Sequence, residues 1–195
     1  MNTTDRQQEI MDTAIAIIAE EGIQKLTTKE LSRRIGISEP ALYRHFENKL
    51  AILVAILEHF SQWSRIVLWE IVESDRVPQD KIRELFRRHT RRFVEYPATS
   101  AVLFSEEIFK NHPELVESMT GIMGAAEGYV RHILEEGIAA GNLRSDVPLE
   151  HLAMVTLGAL RLLVTRWRLN NYSFDLEAEG ARLADSVVAM VAVSP

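Results

Sequence analysis

The sequence predicts an all-α protein. Two observations carry that expectation: apolar residues recur at helical spacing from one end of the chain to the other, and no segment gives a convincing strand pattern. A third is that helix-starting and helix-stopping residues punctuate the chain between those stretches. Nine helices follow. Residues 6–21 carry Ile10, Ala14, Ile17 and Ile18 on one face of a short amphipathic helix that Gly22 ends. Thr27-Thr28-Lys29-Glu30 has the form of a capping box, in which the Thr27 hydroxyl accepts from the third helical N–H while Glu30 reaches back. The helix it opens turns Leu31 and Ile35 inward and stops at Gly36; Ile37 anchors the turn. Ser38 caps a third helix, with Pro40 in its first turn, where a missing N–H costs nothing.

A longer helix is expected from Lys49 to Ser74, followed by a break at Asp75–Pro78 and a basic amphipathic helix to about Glu95. Tyr96-Pro97 breaks the chain again before a helix over Thr99–Phe109. Asn111-His112-Pro113 starts a long helix to Ala140, which Gly141-Asn142 stops. Asp146-Val147-Pro148 starts the eighth, ending near Asn170-Asn171, and the ninth spans Asp175–Val191. With 195 residues, 47% of them hydrophobic, the chain can fill a substantial core, and it contains no internal repeat, low-complexity tract or long linker.

Net charge is −6, which taken as a total argues against a nucleic-acid partner. Its distribution argues the other way. Residues 1–24 carry −4 and residues 51–195 carry −5, whereas 25–50 carry +3, from Lys25, Lys29, Arg33, Arg34, Arg44 and Lys49 against Glu30, Glu39 and Glu47. An acidic body with one basic block disfavours indiscriminate adhesion to DNA while leaving a local phosphate-binding patch. That block is also where a helix, a glycine-containing turn and a second helix follow one another, the pattern of a helix-turn-helix. Leu31, Ile35, Ile37, Leu42 and Phe46 are spaced to bury against the first helix. Glu39, Pro40, Ala41, Tyr43, Arg44 and His45 are left outside, where Tyr, Arg and His donate well to phosphates and base edges.

Residues 10–50, ending in LYRHFENK, resemble the N-terminal domain of the tetracycline-repressor family, and the nine-helix layout matches that family over its whole length. The resemblance implies a three-helix DNA-binding domain at 1–48 and a helical ligand-binding and dimerisation domain at 49–195. It implies that Thr28 and Lys29 sit at the DNA backbone, that Thr27 also belongs to the DNA-binding set, and that Tyr43, His45 and Lys49 clamp phosphates. Ser38, Glu39, Pro40, Ala41 and Arg44 then lie nearest the bases. Ile18 stands where the family usually has an aromatic, which touches packing and not the DNA face. Glu39, an acid facing an anion, is best accommodated if it accepts from a cytosine amino group.

For the remainder, the resemblance implies that the last two helices pair with their copies in a four-helix dimer interface. Leu157, Gly158, Leu160, Arg161, Val164, Trp167, Val187 and Met190 are its expected content, with Gly158 allowing close approach of backbones. Phe86, Phe93, Phe104, Phe109, Met119, Met123 and Tyr129 lie on the helices that enclose a ligand cavity in the family, and suggest a largely apolar effector. Lys81, Arg83, Arg87, Arg88, Arg91 and Arg92 form the densest basic stretch, opposed only by Glu84; it reads as a solvated face or as the seat of an anionic effector.

Other classes find little support. There is no cysteine, hence no disulfide scaffold or thiolate chemistry. No nucleophile elbow, phosphate loop or paired-histidine helix suggests an enzyme, and the six histidines are scattered. Glu106, Glu107 and His112 do not make a plausible metal set, and no cofactor is expected. The N-terminus lacks the features of a signal peptide and apolar runs are short, so a cytoplasmic protein without a membrane partner is expected. The expected function is that of a transcriptional regulator, a repressor by resemblance, which binds a palindromic double-stranded DNA operator as a homodimer and is released by a small-molecule effector.

Overall fold

The computed structural model describes residues 3–110 and 112–193. Among these, ten α-helices and one 3-10 turn are found, and no named strand. The helices are α1 (Asp5–Glu21), α2 (Thr28–Ile35), α3 (Glu39–Tyr43), α4 (Lys49–Val72) and α5 (Pro78–Glu95). They continue as α6 (Thr99–Leu103), α7 (Glu106–Phe109), α8 (Pro113–Ala139), α9 (Leu149–Leu169) and α10 (Leu176–Val191), with the 3-10 turn at Ile23–Lys25. The tenth arises because the stretch expected as one helix at 99–109 breaks at Phe104-Ser105, where Ser105 adopts extended backbone. Asn111, part of the expected start of α8, and the Glu106 side chain lie outside the described residues.

The chain forms two compact units, Met1–Ser61 with Ala98–Thr120, and Gln62–Pro97 with Gly121–Pro195. In the first, α1 packs on α2, on the 3-10 turn and on α6. Ile10, Met11, Ala14, Ile17 and Ile18 of α1 are buried with Leu26, Leu31, Leu42 and Phe46. Ile35 and Ile37, expected in this core, are only half-buried. They flank Gly36, where the chain reverses, and a reversing turn runs along the surface. The start of α1 holds a complete capping box that the sequence reading passed over: Thr4 accepts from the Gln7 N–H and Gln7 reaches back to the Thr4 N–H. At α2 only half of the expected box forms. Thr27 Oγ1 accepts from the Glu30 N–H at 3.1 Å, but the Glu30 carboxylate turns to Arg33 and Arg34.

In the second unit α10 packs most extensively on α5 and then on α9. α5 turns Ile82, Leu85, Phe86, His89, Thr90 and Phe93 inward. It meets α10 closely at Gly180, where a Cβ would stand 2.6 Å from Thr90 Cγ2. A bridge between Leu143 and Ala192, with the Arg144 N–H donating to Val191 O at 2.9 Å, ties the end of α10 to the link between α8 and α9. By length and composition α4 could cross a membrane. It spends much of that apolar surface inside the protein instead: Ile52, Leu53, Ile56, Leu57 and Phe60 are buried in the first unit, and Val67, Leu68 and Ile71 in the second.

Candidate nucleic-acid interface

α2, the turn and α3 are fixed by local chemistry. Gly36 sits in the left-handed region (φ 77°), and its N–H and that of Ile37 both donate to Ser32 O, at 2.9 and 3.0 Å, which closes the C-terminus of α2. Ser38 Oγ accepts from the Ala41 N–H at 3.3 Å and starts α3. Leu42 and Phe46 fasten α3 to the core, and Gln7 Nε2 donates to His45 O at 3.4 Å, so α1 also holds the far end of the motif. Ser32 is buried in the middle of α2, and its hydroxyl has no hydrogen-bond partner among the described residues.

This frame leaves Thr27, Lys29, Ser38, Pro40, Tyr43 and Arg44 exposed, and Thr28, Glu39, Ala41, His45 and Lys49 half-buried. The six cations of the basic block divide into two groups. Arg33 pairs with Glu30, while Arg34 bonds Glu30, Glu20 and Glu21, knitting α2 to the end of α1. Those two guanidinium groups hold the Glu30 carboxyl down at about 2. Among the described residues, Lys25, Lys29, Arg44 and Lys49 make no ion pair and stay available to an anion. Lys49 opens α4, where Asn48 Oδ1 accepts from the Ala51 N–H at 2.9 Å. One contact cuts across the expected roles: Thr28 Oγ1 donates to Glu39 Oε2 at 2.8 Å, so two residues both expected at DNA are engaged with each other.

Two family models match the chain, one described as bacterial regulatory proteins of the tetR family, over residues 10–56, and one as the tetracyclin repressor-like C-terminal domain, over 75–191. The chain belongs to the tetracycline-repressor family. It is a DNA-binding transcriptional regulator, as members of this family are, most of them ligand-responsive repressors. The fatty acid metabolism regulator protein of Bacillus subtilis is 21% identical over 186 residues, covering 95% of this chain and 93% of the relative. The probable acrEF/envCD operon repressor of Escherichia coli K12 is 22% identical over 191 residues, covering 94% of this chain and 86% of the relative. Among solved structures, Bacillus subtilis FadR in complex with stearoyl-CoA superposes with a TM-score of 0.83 at 20% identity, over 94% of this chain and 98% of that one.

The positions expected to carry the other functions of a tetracycline-repressor protein are distributed unevenly. Of the positions expected in the dimer interface, Leu160, Val164, Trp167 and Val187 are buried within their own chain. Gly158, Arg161 and Met190 are exposed and Leu157 is half-buried. The exposed apolar side chains of α9 are others, Met154 (68% exposed), Val155, Leu162 (61%) and Leu169 (69%), which the sequence reading missed. A cleft between the exposed faces of α9 and α10 is lined by Leu162, Arg166, Arg182, Leu183 and Ser186.

The aromatic and methionine positions divide between the units. Phe86 and Phe93 are buried in the second, with Tyr129 half-buried and Met123 exposed there; Phe104, Phe109 and Met119 are half-buried in the first. The basic stretch of α5 has far more opposition than Glu84 alone. Buried Lys81 bonds Glu136 at 2.8 Å and Val72 O at 2.6 Å, and Arg83 pairs with Asp80 and Asp185. Arg87 and Arg88 share Glu84, Arg88 also reaches Glu70, and Arg91 pairs with Glu95. The Arg87 and Arg88 guanidiniums hold the Glu84 carboxyl near 2, against the desolvation that raises it. Arg92 lies over the rings of Tyr96 and Trp63, at 3.8 and 5.2 Å. Trp63 also meets the buried His89 edge-on at 5.1 Å. Lys81, Arg83, Arg87, Arg88 and Arg91 are thus each engaged by a carboxylate, and Arg92 by two aromatic rings.

Proposed function

We propose that this regulator binds an inverted-repeat operator as a homodimer, through α2, the turn and α3, and that a largely apolar small molecule releases it. The carrying observation is the set of cations Lys25, Lys29, Arg44 and Lys49, none of them in an ion pair among the described residues, on and beside a helix-turn-helix that leaves Tyr43 exposed. Residues 1–48 do the reading, and 49–195 sense and dimerise. In a two-fold dimer the recognition helices meet major grooves about one turn, ~34–36 Å, or a multiple apart. Exposed Met154, Val155, Leu162, Leu169 and Met190 supply the apolar area for pairing α9 and α10 with their copies. The protein works in the cytoplasm, where its operator is.

Lys49 and Tyr43 contact phosphate in this reading, and Arg44 contacts bases. Binding to a selected duplex across a salt series tests it. Lys49→Ala should weaken all sequences alike and flatten the salt dependence by about one unit of slope. Arg44→Ala should relax base preference. A lost affinity with unchanged slope would take Lys49 off the backbone. For the effector, the FadR complex makes stearoyl-CoA a reasoned first probe, with Phe86, Phe93 and Tyr129 of the second unit as the apolar lining. Its affinity, measured with and without operator, should differ by a factor of about 5–150, and operator affinity should fall by the same factor. Equal affinities in both states would separate binding from signalling.

A further inference from the structure

We propose that Glu39 is a specificity-determining residue that accepts a hydrogen bond from the exocyclic amino group of a base in the major groove, cytosine N4 in the first place, and that Thr28 is its positioning residue. The inference rests on the DNA-binding reading above and adds the chemistry of one base position. Glu39 is the first residue of α3 and stands half-buried in the block of net positive charge, residues 25–50. A carboxylate there repels phosphate, so its place in this block needs a donor to balance it. Three neighbouring carboxylates have a cation: Glu30 holds Arg33 and Arg34, and Glu20 and Glu21 hold Arg34; Glu47, exposed beyond α3, makes no ion pair among the described residues. Among the described residues Glu39 makes no ion pair, and its one side-chain partner is the neutral hydroxyl of Thr28, at 2.8 Å to Oε2.

That hydrogen bond spans two helices. Thr28 is the first residue of α2 and Glu39 the first of α3, so the turn at Gly36 sets the distance between them. It fixes the Glu39 rotamer and uses one carboxylate oxygen, while Oε1 carries no bond among the described residues. An ionised carboxylate only accepts. In the major groove, guanine presents the acceptors N7 and O6 and thymine presents O4 and a methyl group, whereas cytosine N4 and adenine N6 donate. Glu39 therefore selects an amino-bearing base and rejects the other two. Cytosine comes first because it offers its amino group without the adjacent N7 acceptor that adenine carries, which would face the carboxylate. The same bond withdraws the Thr28 hydroxyl from the phosphate role that the family resemblance implies.

The test is selection of bound duplexes from a randomised double-stranded library, followed by affinity measurements on single-base variants of the winner. Wild-type protein should show one position per half-site at which cytosine, and to a lesser degree adenine, is preferred over guanine and thymine by about fivefold or more. Glu39→Gln, which can both donate and accept, should lose that preference at this position alone. Thr28→Val should blunt it and Thr28→Ser restore it, with preferences at the other positions kept. Uniformly tighter binding of all sequences by Glu39→Gln, with every preference intact, would overturn the inference and leave Glu39 a solvated charge. Uniform loss with Thr28→Val, with preferences intact, would overturn the positioning role. If wild-type protein selects no duplex, the DNA-binding reading falls with it, whereas selection without a Glu39-dependent position refutes this inference alone.

Discussion

Gly158→Leu is expected to separate dimerisation from folding. The glycine lies within α9 on an exposed face, and a Cβ built there meets nothing within 4 Å in its own chain. The protomer therefore has room for leucine. Replacing a helix-interior glycine with a good helix former should stabilise the protomer by about 0.5–1 kcal/mol. A close seam between two copies of α9 responds in the opposite way. Overpacking costs ~1–3 kcal/mol per site, and a two-fold interface contains the site twice, so the dimer loses roughly 2–6 kcal/mol. That is about 30-fold to 10⁴-fold in the dimer dissociation constant. Sedimentation velocity over a concentration series reads the constant, and far-ultraviolet circular dichroism reads the helicity, which should not fall. A variant as dimeric as wild type would place Gly158 outside the interface. A variant that loses helicity would refute the account of open space around it.

Ser32→Ala should stabilise the DNA-reading unit, since it removes a buried hydroxyl without a partner among the described residues. Relief of that desolvation is worth ~1–3 kcal/mol, and a 2 kcal/mol gain would raise the melting temperature by roughly 4–8 °C at fixed protein concentration. An unchanged or lower melting temperature would mean that the hydroxyl is satisfied. His89 is buried, with Nδ1 2.9 Å from Leu85 O, and burial pushes its pKa down from 6.5 to about 4. A depressed histidine makes the unfolded chain bind the extra proton, so this contribution is intact above pH 6.5 and is lost as pH falls towards 4. The loss is on the order of 3 kcal/mol. Denaturant titrations between pH 7 and 4 should show it, and His89→Phe should flatten the curve; an equal slope in the variant would assign it elsewhere. The carboxyl of Glu84, held near 2, adds its own loss only below about pH 4.5, so the two windows separate.

What could be read in the sequence was local. Thr27, Ser38 and Gly36 act on backbone groups within a turn of themselves, and the structure shows each capping or closing its helix as expected. The charge asymmetry of residues 25–50 was legible as a total, but not the division of its cations. Arg34 finds Glu20 and Glu21 only because α2 folds back on α1. The Thr28–Glu39 bond joins residues eleven apart and likewise depends on the turn. α9 defeated the pattern for a different reason. Leu160, Val164 and Trp167 on one face and Met154, Leu162 and Leu169 on the other are all large and apolar, and a helix apolar on both sides does not announce which side is its own core. The sequence also does not tell which glycines are crowded within the chain: Gly180 and Gly137 are, by Thr90 and Leu143, while Gly158 stands in open space there.

The contact of Trp63 with His89 and Arg92 gives the protein a built-in optical reporter. Its three indoles occupy three different settings: Trp69 is more than half exposed, Trp167 is buried with its Nε1 donating to Phe174 O at 2.9 Å, and Trp63 lies half-buried beside a guanidinium. Trp69 should emit at long wavelength and Trp167 at short wavelength whether or not an effector is present. Trp63 is the one whose brightness depends on a neighbour carried by a different helix, since Arg92 and His89 are on α5 and Trp63 is on α4. Any ligand that loosens α5 from this part of α4 therefore changes the emission without a dye or a label. The unmodified protein can be screened in a cuvette, with Trp63→Phe as the blank.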